Sequence, residues 1–453
     1  MITSQLVKHV IETKMERLPP ETIAEAKRSL LNWAGAAIGA SKHPSMEKVL
    51  KVATLINGEK QATVLGRKER TDVLFAALLN GMSSHIFDFD DTFLDTILHP
   101  SAPVFPAILA YAEHYQKSGK DVLEAFIVGC EVEQRLAQAL YPSHYWRGWH
   151  ITGTAGTIGA AAAVAKLQGL DEERFTYAIG LAATEPTGLR EMFGTMTKPY
   201  HPGKAAMNGL MAALLAESGF TTSKQPLEAP RGYYAVLTDE TKLERLTDGW
   251  GESWEILNNS YKPFASGVVT HPSIDAAIQL QQNYDLKADD VQSIHLLAHP
   301  LVKELTGKKQ PETGLEGKFS VYHCVACGFL DGKAGVSQFT DERVKDRDIV
   351  TLRDKVEVDI SEAIHEDQVR IQVTMKNGDV HERFIEHAIG SVNAPMTNAQ
   401  LEQKFVDVTA TIIDEKRKAA LIKLIDDFDS LHDLSSFFQL CVPGDEMTGD
   451  ETD

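Results

Sequence analysis

Val369-Arg370-Ile371-Gln372-Val373-Thr374-Met375 alternates apolar and polar side chains, and Lys376-Asn377-Gly378-Asp379 then leads into Val380 to Phe384. Alternation of period two on either side of an Asn-Gly turn predicts an antiparallel hairpin with one buried face. Two further alternating runs, Val291 to Leu296 and Val356 to Ile360, come before it, and a helix from Ser273 to Gln282 precedes the first of these. Together they predict one small α+β unit spanning residues 266–395.

Outside that unit the period is helical. Pro19-Pro20-Glu21-Thr22 opens a helix whose Ile23, Ala26, Leu30, Leu31 and Ala34 follow the i, i+3, i+4 pattern, with Gly39 near its end. Ser45 is expected to cap a second helix that stops at Gly58. Thr71-Asp72 starts a third and Asp121 a fourth, which ends before Pro142. His150-Ile151-Thr152-Gly153-Thr154-Ala155-Gly156 leads into a helix rich in Ala and Gly up to Gly169, a density that predicts close packing of helix backbones. Helical periodicity returns at Asn398 through Leu401, Phe405, Ile412 to Ile425 and Leu431 to Leu440, before an acidic tail, 444–453, expected to fray. The fold class is therefore mainly α. A large all-helical domain is built from both chain ends, residues 1–265 and 396–453, and the α+β unit interrupts it.

The whole chain bounds the function. Its 453 residues are 43% hydrophobic and 24% charged, enough for two or three domains with ample core. A net charge of −19 argues against nucleic acid or an anionic membrane as partner, and leaves any acidic metabolite dependent on local lysines and histidines. No run of eighteen apolar residues appears, and Met1 to Glu16 lacks an apolar core of signal-peptide length. Four cysteines (Cys130, Cys324, Cys327 and Cys441) do not make a disulfide framework in so long a chain, so the expected location is cytoplasmic.

Chemistry concentrates in His85-Ile86-Phe87-Asp88-Phe89-Asp90-Asp91-Thr92, with Asp95 and His99-Pro100-Ser101 close behind, between the apolar runs 73–79 and 104–110. Ionisable groups wedged between core segments must be paired, neutralised or used. Asp88 to Thr92 also fits D-x-D-x-T, the signature of Mg²⁺-dependent phosphatases. That motif must follow a buried strand, however, and residues 71–87 read as helix. A metal site from His85, Asp88 and Asp91 would need them on one helix face, as offsets of three allow. Cys324-x-x-Cys327 has redox or zinc spacing but apolar surroundings and no second pair, so the two read as buried helix cysteines. Lys198-Pro199 and Lys262-Pro263 each set a lysine before a proline, which is expected to hold that lysine extended. With His99 and His150, the two lysines suit a small di- or tricarboxylate.

Taken together, these motifs resemble the MmgE/PrpD family, which holds 2-methylcitrate dehydratases, cis-aconitate decarboxylases and iminodisuccinate epimerase. The resemblance covers essentially the full length. It rests on His85-x-x-Asp88-Phe89-Asp90-Asp91-Thr92 with His99-Pro100-Ser101, on His150-x-Thr152-Gly153-Thr154-x-Gly156, and on Lys198-Pro199-x-His201-x-Gly203-Lys204-Ala205-Ala206. Lys262-Pro263-Phe264, Thr270-His271-Pro272-x-Ile274-Asp275-Ala276, and Lys318-Phe319-Ser320 followed by Cys324-Val325-Ala326 complete it. The resemblance implies that the α+β unit is a lid domain, that the protein is a homodimer, and that no organic cofactor or metal is used. It makes His150, His99, Lys198 and Lys262 the catalytic candidates, and Asp88, Thr92, Lys204 and His323 the substrate-binding ones. His323 stands where the dehydratase and decarboxylase branches commonly carry a tyrosine, with Tyr322 just before it. The spacing from Thr92 to His99 is also one residue longer than in the decarboxylase branch.

The reactions of that family share a carbanion or enediolate formed next to a carboxylate, which needs a positioned base and cations. In this reading Lys198 and Lys262 clamp carboxylates, Thr92 and Asp88 orient, and His150 or His99 moves the proton. The expected activity is a carbon–oxygen lyase of the 2-methylcitrate dehydratase type. Epimerisation of an imino- or amino-dicarboxylate and decarboxylation of cis-aconitate are the alternatives. A Mg²⁺ phosphatase and a catalytically silent acid binder are the readings from other classes.

Overall fold

Each terminus of the Ile151–Gln168 helix shows why this segment sits at the centre. Nearly every side chain in it is buried, and it is rich in Ala and Gly, so it can be surrounded on all sides. In the computed structural model, which describes residues 1–444, the helices Ser101–Tyr115, Gly119–Leu140, Glu172–Ala183 and Thr197–Glu217 pack around it. A Cβ on Gly159 would come within 2.7 Å of the Glu133 Cβ, and one on Gly209 within 2.6 Å of the Ala160 Cβ. Glycine at both places lets neighbouring helices approach at backbone distance, as the composition predicts. The helix stops at Gly169, whose φ of 71° favours a residue without a side chain. Its last turn supplies Lys166, whose Nζ donates to the carbonyls of Val10 and Ile11 and so closes the end of the Ile2–Glu12 helix.

The chain is mainly α, with nineteen α-helices among the described residues, and it divides into two compact units. The first takes residues 1–86, 90–259 and, of the described residues, 398–444. The Asn398–Val408 helix joins this unit by packing on the Pro20–Gly39 helix. There Phe405 and Val408 lie against Gly35 and Gly39, and Lys404 donates to the Asn32 side chain at 2.7 Å. The second unit takes residues 87–89 and 260–397. Val291–Ala298 lies between Val356–Ile360, paired parallel, and Val369–Met375, paired antiparallel, with Val380–Ile385 outside the latter. Val369, Ile371, Val373 and Met375 form the buried face. The Asn-Gly turn closes as expected, with Gly378 at φ 94°.

Local expectations fail where caps and prolines decide. The second helix starts at Pro44, and the side chain of His43, not Ser45, caps it; Asn57 in the left-handed conformation ends it. The fourth starts at Gly119, because Ser118 and Asp121 form a reciprocal capping box. The run 412–425 is not one helix: Asp414 caps Glu415–Asp426. Lys198 is not extended. It lies in the first turn of Thr197–Glu217, where a proline at the next position costs little because first-turn N–H groups have no helical acceptor. Of the tail expected to fray, residues 445–453 lie outside the described residues. No helix among the described residues is long and apolar enough to cross a membrane.

Candidate active site

Four buried histidines of the first unit stand at the ends of four helices. His85 is the last residue of Val73–His85, and His99 lies just before Ser101–Tyr115. His150 is the N-cap residue of Ile151–Gln168, and His201 lies in the second turn of Thr197–Glu217. Their rings form a chain: His99 to His85 at 4.7 Å between centroids, His85 to His150 at 5.8 Å, and His150 to His201 at 5.2 Å. The Phe193 ring meets His150 edge-on at 5.0 Å, and the Lys198 ammonium lies 5.4 Å from the Phe193 centroid.

Hydrogen bonds settle where two of these rings carry their protons. His99 Nδ1 lies 2.9 Å from the carbonyl of Asp91, which can only accept, so Nδ1 bears hydrogen and Nε2 carries the lone pair. The backbone N–H of His99 donates to Thr152 Oγ1 at 3.2 Å, and Thr92 Oγ1 stands 3.4 Å from Nδ1. His85 Nδ1 donates to Asp90 Oδ2 at 2.7 Å; the same oxygen lies 3.5 Å from His99 Nδ1. His85 Nε2 is buried without a hydrogen-bond partner among the described residues. Asp91 anchors the carbonyl that His99 uses: its Oδ2 accepts from Ser101 Oγ at 2.7 Å and from Asn259 Nδ2 at 2.6 Å.

Burial governs the charge states. His150 is held well below an ordinary histidine, first by desolvation and then by the potentials of His85, Lys198, His201 and His99. His201 is lowered to about 4 by burial, with His85 and Lys198 adding to it. The Asp91 carboxyl is pushed up to about 7 by burial, with Asp90 adding to the shift and Asn259 and Ser101 opposing it. Glu133, fully buried on the Gly119–Leu140 helix, is raised well above the usual carboxylate range by burial and by Asp91. The unit therefore keeps His150 and His201 neutral and also holds, in Asp91, a carboxyl that titrates near neutrality. Such groups can both accept and return a proton near neutral pH.

Three helices begin at this cluster, Ser101–Tyr115, Ile151–Gln168 and Thr197–Glu217, and none has a side-chain N-cap hydrogen bond among the described residues. Helix N-termini offer N–H donors and partial positive charge, which favours a bound anion and disfavours imidazolium. A cleft of about 480 Å³, lined by Arg147, Gly148, Leu189, Arg190, Glu191 and Phe193, opens in the same unit. Phe193 links it to His150. The donor atoms of His85, Asp90 and His99 also lie within 4.8 Å of one another, a set of the kind that can hold a divalent cation. The helix-face metal set of His85, Asp88 and Asp91 does not form. The helix ends at His85, Asp88 has φ 52°, and Asp91 lies in the short strand Asp91–Phe93. Because the segment before Asp88 is the Val73–His85 helix, the D-x-D-x-T stretch also lacks the strand that a phosphatase site requires.

The remaining candidates have other surroundings. Lys204 is half-buried in its helix, with Nζ 3.6 Å from Met207 Sδ. In the second unit, Lys262 is buried and donates to Asp88 Oδ1 at 2.9 Å and to the Asp88 carbonyl at 3.0 Å, while Lys318 donates to the Phe87 carbonyl at 2.7 Å. Lys262 is thus neutralised within its own unit. His323 is wholly buried in the Val321–Asp331 helix: Nε2 lies 2.9 Å from the Gln338 carbonyl and 3.3 Å from Cys327 Sγ, and Phe339 packs on the ring. Burial lowers it to about 4. Cys324 and Cys327 are buried and free, as read. His85, Asp90, Asp91 and His201 lie inside the quoted motifs but outside the catalytic and substrate-binding candidates, His85 and Asp91 entering only through the metal reading. Their signal was position: His201 stands three residues after Lys198, and Asp90 and Asp91 flank the loop that brings His99 back.

Family comparison fits this geometry. The MmgE/PrpD N-terminal domain matches residues 4–246 and the MmgE/PrpD C-terminal domain matches 264–430. The chain belongs to the MmgE/PrpD family. Among its curated relatives, a cis-aconitate decarboxylase of Aspergillus terreus is 25% identical over 97% of this chain and 95% of its own length. The cis-aconitate decarboxylase of Homo sapiens is 27% identical over 96% and 93%. A 2-methylcitrate dehydratase of Salmonella typhimurium is 24% identical over 72% and 71%. The C-terminal match runs through residue 430, past the point at which the MmgE/PrpD chain leaves the sheet unit and returns to the helical one.

Proposed function

We propose that this MmgE/PrpD protein is a lyase acting on a small di- or tricarboxylate by moving a proton at carbon next to a carboxylate, with 2-methylcitrate-type dehydration as the first reading. The observation that carries it is the buried chain of imidazoles at three helix N-termini beside Lys198, in which His150 and His201 are held neutral. In a molecule of charge −19, that is a local anion-attracting patch. His150 is the base. The hydroxyl departs as water with the proton that His150 has taken from carbon, and His99 serves as relay, its Nε2 accepting that proton and passing it to the departing oxygen. Lys198 stabilises the negative charge that develops on the substrate carboxylate. Decarboxylation of cis-aconitate is the second reading, favoured by the near-complete coverage of the decarboxylase relatives. The homodimer implied by the resemblance belongs to the same reading, and light scattering at working concentration tests it.

The deciding measurement is a panel of citrate, 2-methylcitrate, cis-aconitate and iminodisuccinate in D₂O followed by proton NMR. Alkene appearing from 2-methylcitrate supports dehydration, CO₂ loss from cis-aconitate supports decarboxylation, and deuterium wash-in without net change supports epimerisation. A wide acid panel with none of these sinks the lyase reading. Loss of turnover in EDTA would instead point to a cation held by His85, Asp90 and His99.

A further inference from the structure

Two imidazole nitrogens meet inside the helical unit. His150 Nδ1 and His201 Nδ1 are 3.0 Å apart, and both rings are almost wholly buried. At that distance the contact needs one proton. Two N–H groups would collide, and two lone pairs would repel. The loop above holds both rings in register. Gly188 sits at φ 102°, its carbonyl accepts the His150 backbone N–H at 3.0 Å, and a Cβ there would lie 2.9 Å from His201 Cγ and Nδ1 and 3.2 Å from His150 Cβ. Only glycine lets the backbone press this closely on the pair.

We propose that His201 is a positioning residue that accepts the Nδ1 proton of His150 and thereby leaves the His150 lone pair on Nε2, the nitrogen that serves as base. This rests on the reading of His150 as the base. The opposite arrangement, with His201 donating, would put the His150 proton on Nε2 and make that ring a donor. The charges that bear most on the pair come from His85, His99 and Lys198, and the Phe193 edge packs on His150. A neutral acceptor distinguishes this couple from an Asp–His dyad. When His150 Nε2 takes the substrate proton, the C–H bond breaks, its electron pair stays on carbon as the enediolate, and the imidazolium gains only a stronger bond to His201. Without a carboxylate to trap it, the proton remains easy to return to carbon or to pass to a departing hydroxyl. That suits reversible transfer.

The test combines selectively ¹⁵N-histidine-labelled protein with three variants, His150→Gln, His201→Leu and His201→Asn, the last retaining an acceptor near the Nδ1 position. In wild type the His150 ring, assigned through its disappearance in His150→Gln, is expected to carry hydrogen on Nδ1. His201→Leu is expected to lose about 100-fold in kcat for deuterium exchange or turnover, with KM changed by less than about threefold. His201→Asn is expected to restore activity to within about tenfold of wild type. A structural role alone would move thermal stability in both variants and leave the tautomer alone. Wild-type His150 protonated on Nε2, or wild-type kcat in His201→Leu, overturns the proposal. If His150→Gln itself turns over normally while the tautomer is as stated, the base assignment fails and the pairing stands.

Discussion

His150 and His323 are both buried histidines kept neutral in the folded protein, but they sit in different company. His323 Nε2 lies against a backbone carbonyl and a thiol within one helix and its neighbour, Phe339 packs on the ring, and Nδ1 is buried with no hydrogen-bond partner among the described residues. His150 touches a second imidazole, lies at the start of a helix, and feels the charge of Lys198. Burial and a depressed pKa are therefore common to a core residue and a candidate base. The difference lies in what stands around the ring: His323 is enclosed beside a backbone carbonyl, a thiol and Phe339, whereas His150 stands among other imidazoles at a helix start beside Lys198.

That contrast breaks most sharply under mutation. His150→Gln should cost about 10³-fold in turnover, close to 4 kcal/mol of barrier, with unfolding little changed; activity near wild type would remove His150 from the mechanism. His323→Leu should do the reverse. Leaving the Gln338 carbonyl without its donor should lower stability by about 1–3 kcal/mol in denaturant unfolding, with kcat within about threefold of wild type. A large loss of kcat in a folded His323 variant would return that residue to the site.

Titration probes what the two regions share. His144, His201 and His323, each lowered to about 4 by burial, and His150, held lower than an ordinary histidine, stay neutral while the unfolded chain takes up protons at about pH 6.5. Their contribution to stability is full above that value and is lost as pH falls toward about 4. Each should contribute at most about 1.4 kcal/mol per pH unit. Chemical unfolding at a series of pH values measures the slope, and a flat profile over this window would contradict the buried neutral state. The smallest shift is that of the acid limb in Lys198→Met, a change in pH dependence separate from the loss of turnover expected when the carboxylate clamp is removed. Removing its positive charge should raise the acid limb of the activity profile, since Lys198 lowers both His150 and His201, and should leave the stability contribution of His323 unchanged. A downward shift of that limb would reverse the assigned sign.

Most of the fold is legible from periodicity alone. Val356–Ile360 and Val369–Met375 appear where alternation places them, because a sheet with one buried face imposes period two on the sequence itself. The Asn-Gly turn encodes its own geometry. Helix ends are less legible, since they depend on which side chain reaches a backbone N–H: His43 rather than Ser45, and Ser118 with Asp121 rather than Asp121 alone. The proline rule misplaces Lys198 because it assumes a helix interior, whereas Lys198 sits in a first turn.

The site is legible in its membership and opaque in its wiring. His99, His150, Lys198 and Lys262 are all named by motif, and a sequence of this kind names the family with them. Motif spacing cannot reveal that Lys262 is bonded to Asp88, that the Asp91 carbonyl sets the His99 tautomer, or that His150 and His201, fifty-one residues apart, share a hydrogen bond. Local pattern is written along the chain, so the sequence by itself determined the helical and sheet regions and the kinds of group available for chemistry. Proton positions and charge states depend on burial and on partners brought together from distant helix ends. Only the tertiary structure decides those, because desolvation and hydrogen-bond direction exist only once the helices have packed.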